Sequence, residues 1–382
     1  MLDDLRRLAL LAALPLLGFC QPVDDATLCE YNRMHPSNLG CEKVEKMLLP
    51  FLKTSPTSKM WVLAQAQAPQ SGNAAQAEHR RKYMAEHPPR SSVGLTALTD
   101  LGTGTYKGEQ GGLYPGGSNT IPAQHLKAGL EIARQIVPLD ADGRPSPDGK
   151  IVMLCVGFSN PTIEFSAFKP LSDAFAGRNP SLVTINTCVG SQAAPTIADP
   201  NSGYWRTVDQ RIKDAGVSPK QVQAIWMKQV IPGDGEFPAF AKRLQGYIVD
   251  SLHNAHDKFP NLKVTYLTSR TYGGWTEMGG SPEPAAYETG FAVKWVIADQ
   301  IAGKPELNFD QAKGAVRSPW IEWGPYIWTD GVKGRKDGMV YLRSDTREDG
   351  LHPSDAGTKK VVAMLMDFFE TDPTARIWFL KR

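Results

Sequence analysis

The sequence feature that most constrains the fold is an uninterrupted run of six apolar residues at positions 151–156, Ile-Val-Met-Leu-Cys-Val. A short run of this kind, rich in β-branched side chains, is typical of a strand buried on both faces of a parallel sheet. Gly157 ends the run and permits a sharp turn, and Ser159 follows at the carboxyl end of the predicted strand. Ligands of open α/β sheets bind in the crevice above that end. Ser159 is therefore a candidate nucleophile, with capping of the following helix as the alternative.

Further apolar runs place this strand in a regular alternation of strands and helices. Three more strands are predicted at residues 182–189, 222–230 and 262–268, and helices at residues 122–136, 163–175, 237–256, 287–301 and 355–369. This order is typical of a parallel, doubly wound sheet with helices on both faces. We therefore assign the chain to the α/β class.

The N-terminus resembles a secretory signal peptide, which we assign to residues 1–20. A short apolar run at residues 8–19 follows Arg6 and Arg7 and is too short to span a bilayer unaided. Cleavage after Cys20 would place the mature protein outside the cytoplasm, either secreted or periplasmic. Residues 17–20, Leu-Gly-Phe-Cys, also partly resemble a bacterial lipobox, so a lipid anchor at Cys20 is the alternative.

Three segments follow the signal peptide. We predict an N-terminal extension at residues 21–92, a Gly-rich loop and a helix that pack on the core at residues 93–149, and the α/β domain at residues 150–382. The loop at residues 100–120 holds seven glycines but matches neither dinucleotide-binding nor P-loop spacing. It therefore indicates no nucleotide cofactor.

The cysteines divide into Cys20, in the signal peptide, and two pairs. Cys29 and Cys41 lie close together in a polar segment, so a local disulfide is expected in an oxidising compartment. Cys155 and Cys188 lie on two predicted core strands, and there we expect buried free thiols.

A serine nucleophile needs a base within hydrogen-bond reach and an acid that orients the base. Residues 349–352, Asp-Gly-Leu-His, supply both on a Gly-containing turn before the last predicted helix. The carboxylate of Asp349 can bond one imidazole nitrogen of His352 while the other nitrogen faces the serine. The alternative is a helix-capping Asp349 and a surface His352.

The oxyanion of an acyl-transfer intermediate needs preorganised hydrogen-bond donors. Gly190, at the tip of the second predicted strand, can offer a backbone N–H that no Cβ obstructs. Gln229, at the tip of the third, can offer a side-chain amide. The alternatives are a turn glycine and a solvent-facing glutamine.

With these residues in place, the sequence resembles the SGNH (GDSL-type) hydrolase family over roughly residues 150–370. The first block of that family, commonly Gly-Asp-Ser, is similar to Gly157-Phe-Ser159, and its last block is similar to residues 349–353, Asp-Gly-Leu-His-Pro. The glycine of the second block falls on Gly190. The third block, Gly-x-Asn, falls on residues 227–229, Met-Lys-Gln.

The resemblance implies a three-layer α/β/α fold with a parallel, flavodoxin-like sheet, to which this chain adds its N-terminal extension. It also implies a Ser-His-Asp mechanism at the three residues named above, with Gly190 and Gln229 as the oxyanion hole. Phe158 replaces the usual Asp beside the nucleophile, and Gln229 replaces the usual Asn. These departures indicate a divergent member of the family.

An aromatic segment at residues 320–328 precedes the histidine loop. Its large rings, interrupted by Gly324 and Pro325, predict neither a helix nor a strand. Aromatic faces near an active-site loop often stack on sugar rings, so Trp323, Tyr326 and Trp328 are candidate substrate-binding residues. The alternative is a hydrophobic plug that packs the loop onto the core.

These features predict an exported serine esterase that removes an O-acetyl or similar acyl group from a carbohydrate. The ester follows from the family resemblance, and the carbohydrate follows from export and the aromatic segment. A lipid or aryl ester is the alternative substrate. A non-catalytic glycan-binding protein of the same fold is the alternative function.

Composition and patterning also limit the partners. The 42 basic and 40 acidic residues nearly balance, so the net charge favours neither nucleic acid nor an anionic membrane. We expect no membrane span. His253 and His256 are three residues apart on a predicted helix, but no third ligand accompanies them, so we expect no metal and no other cofactor. The oligomeric state stays open.

Overall fold

A computed structural model of the chain describes residues 82, 85–86, 88–277 and 280–381. The chain divides into two units, Met1–Glu78 and His79–Arg382, and every described residue belongs to the second. The predicted signal peptide, the anchor at Cys20, the Cys29–Cys41 disulfide and most of the N-terminal extension lie outside the described residues.

The strands form a small hairpin and a larger parallel sheet. They are β1 (Thr105–Tyr106), β2 (Glu109–Gln110), β3 (Ile151–Gly157), β4 (Leu182–Asn186), β5 (Val222–Lys228), β6 (Val264–Thr268) and β7 (Trp320–Trp323). The five-stranded sheet has the order β4-β3-β5-β6-β7, with every neighbouring pair parallel. The chain moves from β3 to β4 and then crosses back to β5, so the direction of winding reverses between β3 and β5. Such a switch point opens a crevice at the carboxyl ends of the strands.

Helices cover both faces of this sheet. They are α1 (Leu98–Leu101), α2 (Ala123–Ala133), α3 (Ser159–Ala174), α4 (Ala194–Ala198), α5 (Gly203–Asp214), α6 (Ala239–Lys258), α7 (Ala285–Ile301), α8 (Asp355–Thr371) and α9 (Arg376–Phe379). One face packs on α5, α6 and α7 through a core that includes Leu244 and Phe291. The other packs on α3, α8 and α9 through a core that includes Phe165 and Leu365. The prediction of a three-layer α/β/α fold is confirmed.

Strand β3 is buried along its whole length, in agreement with its apolar sequence. It pairs with β4 and β5, so that Cys155 lies opposite Asn186 and Gly157 lies opposite Lys228. Glycine is needed at position 157, because a Cβ there would lie 2.5 Å from the carbonyl oxygen of Lys228. The strand end that leads to Ser159 is therefore fixed by its neighbours.

The outermost strand and one helix differ from the sequence prediction. The expectation of neither helix nor strand in the aromatic segment is wrong at Trp320–Trp323, which form the edge strand β7 beside β6. Aromatic and β-branched side chains favour strands when a partner strand is available. Helix α5 was not predicted, although Tyr204, Val208 and Ile212 form its buried face. No helix in the described part of the chain has the length and apolar character needed to cross a membrane.

Cys155 and Cys188 are joined by a disulfide, so the expectation of free thiols is wrong. Parallel pairing sets Cys155 beside the end of β4, and the chain after β4 brings the two Cα atoms to 5.7 Å, within the range of disulfides. The bond connects the strand that precedes Ser159 to the segment that carries Gly190.

The Gly-rich loop contains the β1–β2 hairpin and packs on α7. Lys294 donates hydrogen bonds to the carbonyl oxygens of Gln110 and Gly111. The Tyr106 hydroxyl donates to the carboxylate of Glu288 over 2.7 Å. Because Lys294 and Glu288 are both buried side chains of α7, these bonds hold the loop against that helix.

Candidate active site

Ser159 is the first residue of α3 and follows β3 after a single residue, Phe158. Phe158 has an extended backbone and occupies the N-cap position, and no side chain caps the helix there. Ser159 therefore does not serve as the cap. It lies half-buried at the carboxyl edge of the sheet, beside the switch point, where the positive end of a helix dipole favours developing negative charge.

The turn before α8 brings Asp349 and His352 together. Nδ1 of His352 lies 2.6 Å from Oδ2 of Asp349. Oδ1 of Asp349 accepts hydrogen bonds from the backbone N–H groups of Leu351 and His352, over 2.9 and 3.0 Å. Gly350 has a φ of +64°, and a Cβ there would overlap the carbonyl group of Trp275. A glycine in this position is therefore required for the turn that joins acid and base.

The other nitrogen of His352 reaches Ser159. Nε2 of His352 lies 2.9 Å from Oγ of Ser159, although the two residues are 193 positions apart in the sequence. An ionised Asp349 can only accept a hydrogen bond, so Nδ1 of His352 must carry the proton. The lone pair of Nε2 is then directed at the Ser159 hydroxyl. The structure thus brings together the three residues that the sequence proposed as a triad.

The pKa of Asp349 lies below its usual range. Burial raises this pKa, but hydrogen bonds from the imidazole of His352 and from the backbone N–H groups of His352 and Leu351 lower it further than burial raises it. Those donors favour the ionised carboxylate. Asp349 is therefore charged at neutral pH, as an orienting acid must be.

Asn160 links the start of α3, where Ser159 lies, to the histidine turn. Its side chain is fully buried, and its Nδ2 donates to the carbonyl oxygen of Leu351 over 3.1 Å. The first turn of α3 is thereby attached to the residue that precedes His352. Sequence reasoning did not single out Asn160, because nothing local shows which distant carbonyl its amide meets.

The two proposed oxyanion donors follow the strands on either side of β3. Val189 donates its N–H to the carbonyl oxygen of Gly157 over 3.0 Å, which holds Gly190 close to the end of β3. A Cβ on Gly190 would meet no atom within 4 Å, so its surroundings are open. Gln229 follows β5 and is only 2% exposed, which excludes the solvent-facing alternative. Neither polar atom of its amide has a hydrogen-bond partner among the described residues.

A buried ion pair joins β5 to α3, the helix that begins at Ser159. Nζ of Lys228, the last residue of β5, lies 2.7 and 2.9 Å from the two carboxylate oxygens of Glu164 on α3. Both side chains are inaccessible to solvent. Burial lowers the pKa of Lys228 to about 8, although the charge of Glu164 acts in the opposite direction. This pair was missed in the sequence, where the only signal was a lysine at the end of an apolar run.

Two more charged side chains are buried toward the same edge, Arg270 after β6 and Glu283 before α7. Glu283 accepts hydrogen bonds from the N–H of Gly273, the indole of Trp328 and the N–H of Tyr287. Burial raises the pKa of Glu283 to about 7, and these bonds only partly offset that effect. Neither Arg270 nor Glu283 was predicted from the sequence.

The aromatic segment does not line an open site. Trp323, Tyr326 and Trp328 are 3%, 5% and 0% exposed. Trp323 and Tyr326 hydrogen-bond to the backbone, and Trp328 donates to Glu283. The predicted role of these three residues in substrate binding is therefore corrected, because the rings pack into the hydrophobic core and their polar atoms are already hydrogen-bonded. The segment packs onto the core, as in the alternative.

The histidine pair of α6 shows no metal-binding arrangement. Nε2 of His253 lies 2.7 Å from the carbonyl oxygen of Glu306. Across the part of the chain that the structure describes, no group of three or more His, Cys, Asp or Glu side chains could hold a metal ion.

No protein-family model matches the sequence, and no curated protein matches it significantly. The function must therefore be inferred from the geometry of the site.

Proposed function

We propose that this protein is an exported serine esterase and a divergent member of the SGNH (GDSL-type) hydrolase family. The observation that carries the proposal is the pair of hydrogen bonds that join His352 to Asp349 and to Ser159, 2.6 and 2.9 Å long. A carboxylate, an imidazole and a hydroxyl in this order form the acyl-transfer relay of serine hydrolases. The relay lies at the sheet edge where parallel α/β proteins bind ligands.

Acylation begins with attack of the Ser159 oxygen on the ester carbonyl carbon. The hydroxyl proton passes to Nε2 of His352, and the ionised Asp349 stabilises the resulting imidazolium through Nδ1. The carbonyl oxygen becomes an oxyanion. The backbone N–H of Gly190 and the side-chain amide of Gln229 are the donors that we assign to it.

Collapse of the intermediate breaks the bond to the alcohol and leaves the acyl group on Ser159. The departing alcohol takes the proton from Nε2 of His352. A water molecule then attacks the acyl-enzyme, gives its proton to His352 and releases the acid, after which Ser159 recovers its proton. The cycle consumes one ester and one water.

The proposed substrate is an O-acetyl or similar acyl ester on a carbohydrate. Support for the carbohydrate comes from the predicted export alone, since the aromatic rings that favoured it are enclosed. The length of the acyl group separates this substrate from the lipid alternative, and acetate release from a polysaccharide separates it from the aryl alternative. A short-chain optimum on p-nitrophenyl esters, together with acetate release from acetylated xylan or pectin, would support it.

Labelling with a fluorophosphonate probe tests the hydrolase proposal directly. The probe bonds to a serine that an adjacent base activates, so wild-type protein should be labelled and Ser159→Ala should not. Ser166→Ala is a matched control, because Ser166 lies on the same helix but is exposed. Absence of labelling in folded wild-type protein would contradict the proposal. Binding of glycans by such unlabelled protein would favour the non-catalytic alternative.

A further inference from the structure

Arg270 lies at the same sheet edge as Ser159 and has no role in the acyl transfer described above. It follows β6 by two residues and is 1% exposed. The guanidinium carbon lies 5.6 Å from the centre of the Phe158 ring. Because Phe158 immediately precedes Ser159, this buried positive charge lies close to the proposed nucleophile.

Arg270 has no ionic partner in the described part of the chain. Its Nε and Nη1 atoms are enclosed and make no hydrogen bond to any described residue. The ion pairs at this edge join other residues, Lys228 with Glu164 and His352 with Asp349. A buried charge that lacks a direct partner is costly. A ligand of opposite charge would offset that cost.

The carboxylates whose charges act on Arg270 are already bonded elsewhere. They are Glu164, Glu283 and Asp349. Both oxygens of Glu164 accept from Lys228. Glu283 accepts from two backbone N–H groups and an indole, and Asp349 holds the imidazole of the triad. Nε and Nη1 of Arg270 therefore have no acceptor among the described residues.

Other unpaired polar atoms lie next to Arg270. The amide of Gln229 and the hydroxyl of Ser269 are enclosed and make no hydrogen bond within the described residues. Pairing of Lys228 with Thr268 sets Gln229 beside Ser269, one position before Arg270. Buried polar groups are nearly always hydrogen-bonded, and an unpaired one is costly. Their concentration at this edge indicates the binding place of a polar ligand.

We propose that Arg270 binds a carboxylate of the substrate, so that the protein acts on esters that carry a negative charge. This inference rests on the proposed esterase function and adds the class of substrate. A planar guanidinium can donate two parallel hydrogen bonds to a carboxylate. The carboxylate belongs either to the acyl group, as in a half-ester of a dicarboxylic acid, or to the alcohol, as in an acetylated uronic acid.

Phe158 fits this role better than the Asp found in the resembled family. A carboxylate at position 158 would stand beside Arg270 and neutralise it. The aromatic ring instead holds the guanidinium by a cation–π contact, within the distance of about 6 Å over which such contacts act. The positive charge then stays available to a substrate.

The test measures kcat/KM of the full-length protein on two matched substrate pairs. The acyl pair is p-nitrophenyl hemisuccinate and p-nitrophenyl butyrate, and the alcohol pair is O-acetylated glucuronic acid and O-acetylated glucuronamide. Wild-type protein should prefer the acidic member of one pair by about 10-fold or more, the effect of one hydrogen bond between charged groups. The pair that shows the preference tells whether the acyl group or the alcohol carries the carboxylate. Arg270→Gln should abolish the preference, because kcat/KM on the acidic member should fall to that on the neutral member.

Variants of Phe158 provide a second, independent test. Phe158→Asp supplies an internal carboxylate and should abolish the preference for the acidic substrate. Phe158→Leu removes the ring without adding charge and should keep a preference for the acidic substrate, smaller than that of wild type because the cation–π contact is lost. Arg243→Gln is a further control, because it removes an exposed guanidinium that also lies over a phenyl ring, that of Phe240. This control should behave as wild type.

The outcomes separate this inference from the esterase proposal. Equal or faster hydrolysis of the neutral member of both pairs by wild-type protein overturns the carboxylate site, even if Arg270→Gln fails to fold. An acid preference that persists in folded Arg270→Gln overturns it as well. Either result leaves a Ser159-dependent esterase intact. Absence of Ser159-dependent hydrolysis on all four substrates rejects both proposals.

Discussion

Asp349 shows how one side chain can determine the protonation of the whole relay. Two backbone N–H groups hold its Oδ1, so that Oδ2 is left to face Nδ1 of His352. The orientation of the carboxylate is therefore set by the turn itself and not by His352 alone. This arrangement keeps the imidazole proton on Nδ1 and directs the lone pair of Nε2 at the hydroxyl of Ser159.

Replacing Asp349 by Asn should nearly abolish activity without unfolding the protein. The backbone donors would hold the amide oxygen at the Oδ1 position, and the amide NH₂ would then face Nδ1 of His352. The imidazole proton would move to Nε2, which could no longer accept the serine proton, and kcat should fall by about 10⁴-fold. Steady-state hydrolysis of p-nitrophenyl acetate measures the effect.

A matched control for this substitution is Asp355→Asn, in the exposed first turn of α8. It removes the same charge a few residues from the turn and should keep activity close to that of wild type. A loss of less than 10-fold in folded Asp349→Asn would mean that Asp349 does not set the tautomer.

Contacts between strands, helices and turns hold the residues of the site in place. The Cys155–Cys188 disulfide joins β3 to the segment after β4, and Asn160 joins α3 to the turn before α8. Glu283 performs a similar role for α7, because it accepts the N–H of Tyr287 in the first turn of that helix and the N–H of Gly273 in the segment after β6. Each contact ties two segments that are distant in sequence or belong to different layers.

Glu283 should make the stability of the protein depend on pH. Burial raises its pKa from 4.5 to about 7, so the folded protein holds this proton more tightly than the unfolded chain does. The resulting stabilisation is fully present below pH 4.5 and is lost as the pH rises through 7. The contribution of Glu283 to the free energy of unfolding falls by at most about 1 kcal/mol per pH unit. Urea unfolding followed by tryptophan fluorescence from pH 5 to pH 8 measures it.

In Glu283→Gln this contribution to the pH dependence should disappear, whatever the absolute stability of the variant. Glu306→Gln, at an exposed position, should retain the wild-type dependence. Identical pH dependence in wild type and Glu283→Gln would show that Glu283 titrates as it does in the unfolded chain.

At the scale of the whole molecule, the sequence predicted what depends on local pattern. The apolar run of β3 follows from burial on both faces, and its bounds match the structure. The turn that holds Asp349 and His352 is also local, because the two residues are three positions apart and separated by Gly350. The buried face of α5 was present in the sequence at helical spacing and could have been found.

What the sequence did not predict depends on the register between distant segments. The disulfide requires Cys155 to lie opposite the end of β4, which only strand pairing decides. Arg270 meets Phe158 because β6 and β3 end at the same edge, on either side of β5. The buried indole of Trp328 donates its hydrogen bond to Glu283, 45 positions earlier. No local pattern reports any of these contacts.

The switch point between β3 and β5 depends on Gly157. Gly157 lies where β3 meets β5, and a Cβ there would press on the carbonyl oxygen of Lys228 at 2.5 Å and on Pro161 at 2.7 Å. Gly157→Ala should therefore force the two strand ends apart and lower the free energy of unfolding by about 1–3 kcal/mol. Fluorophosphonate labelling should slow as well, because Ser159 is carried by the displaced strand end.

Gly190→Ala should change activity in the crevice without changing the stability of the fold. A Cβ on Gly190 meets no protein atom within 4 Å, so the free energy of unfolding should stay close to the wild-type value. The added methyl group would occupy the space that the substrate oxyanion needs, and kcat should fall on the order of 10²-fold. Urea unfolding and p-nitrophenyl acetate hydrolysis of both glycine variants give the comparison. Full activity in Gly190→Ala would remove Gly190 from the oxyanion hole, whereas wild-type stability in Gly157→Ala would show that β3 and β5 need no glycine to meet there.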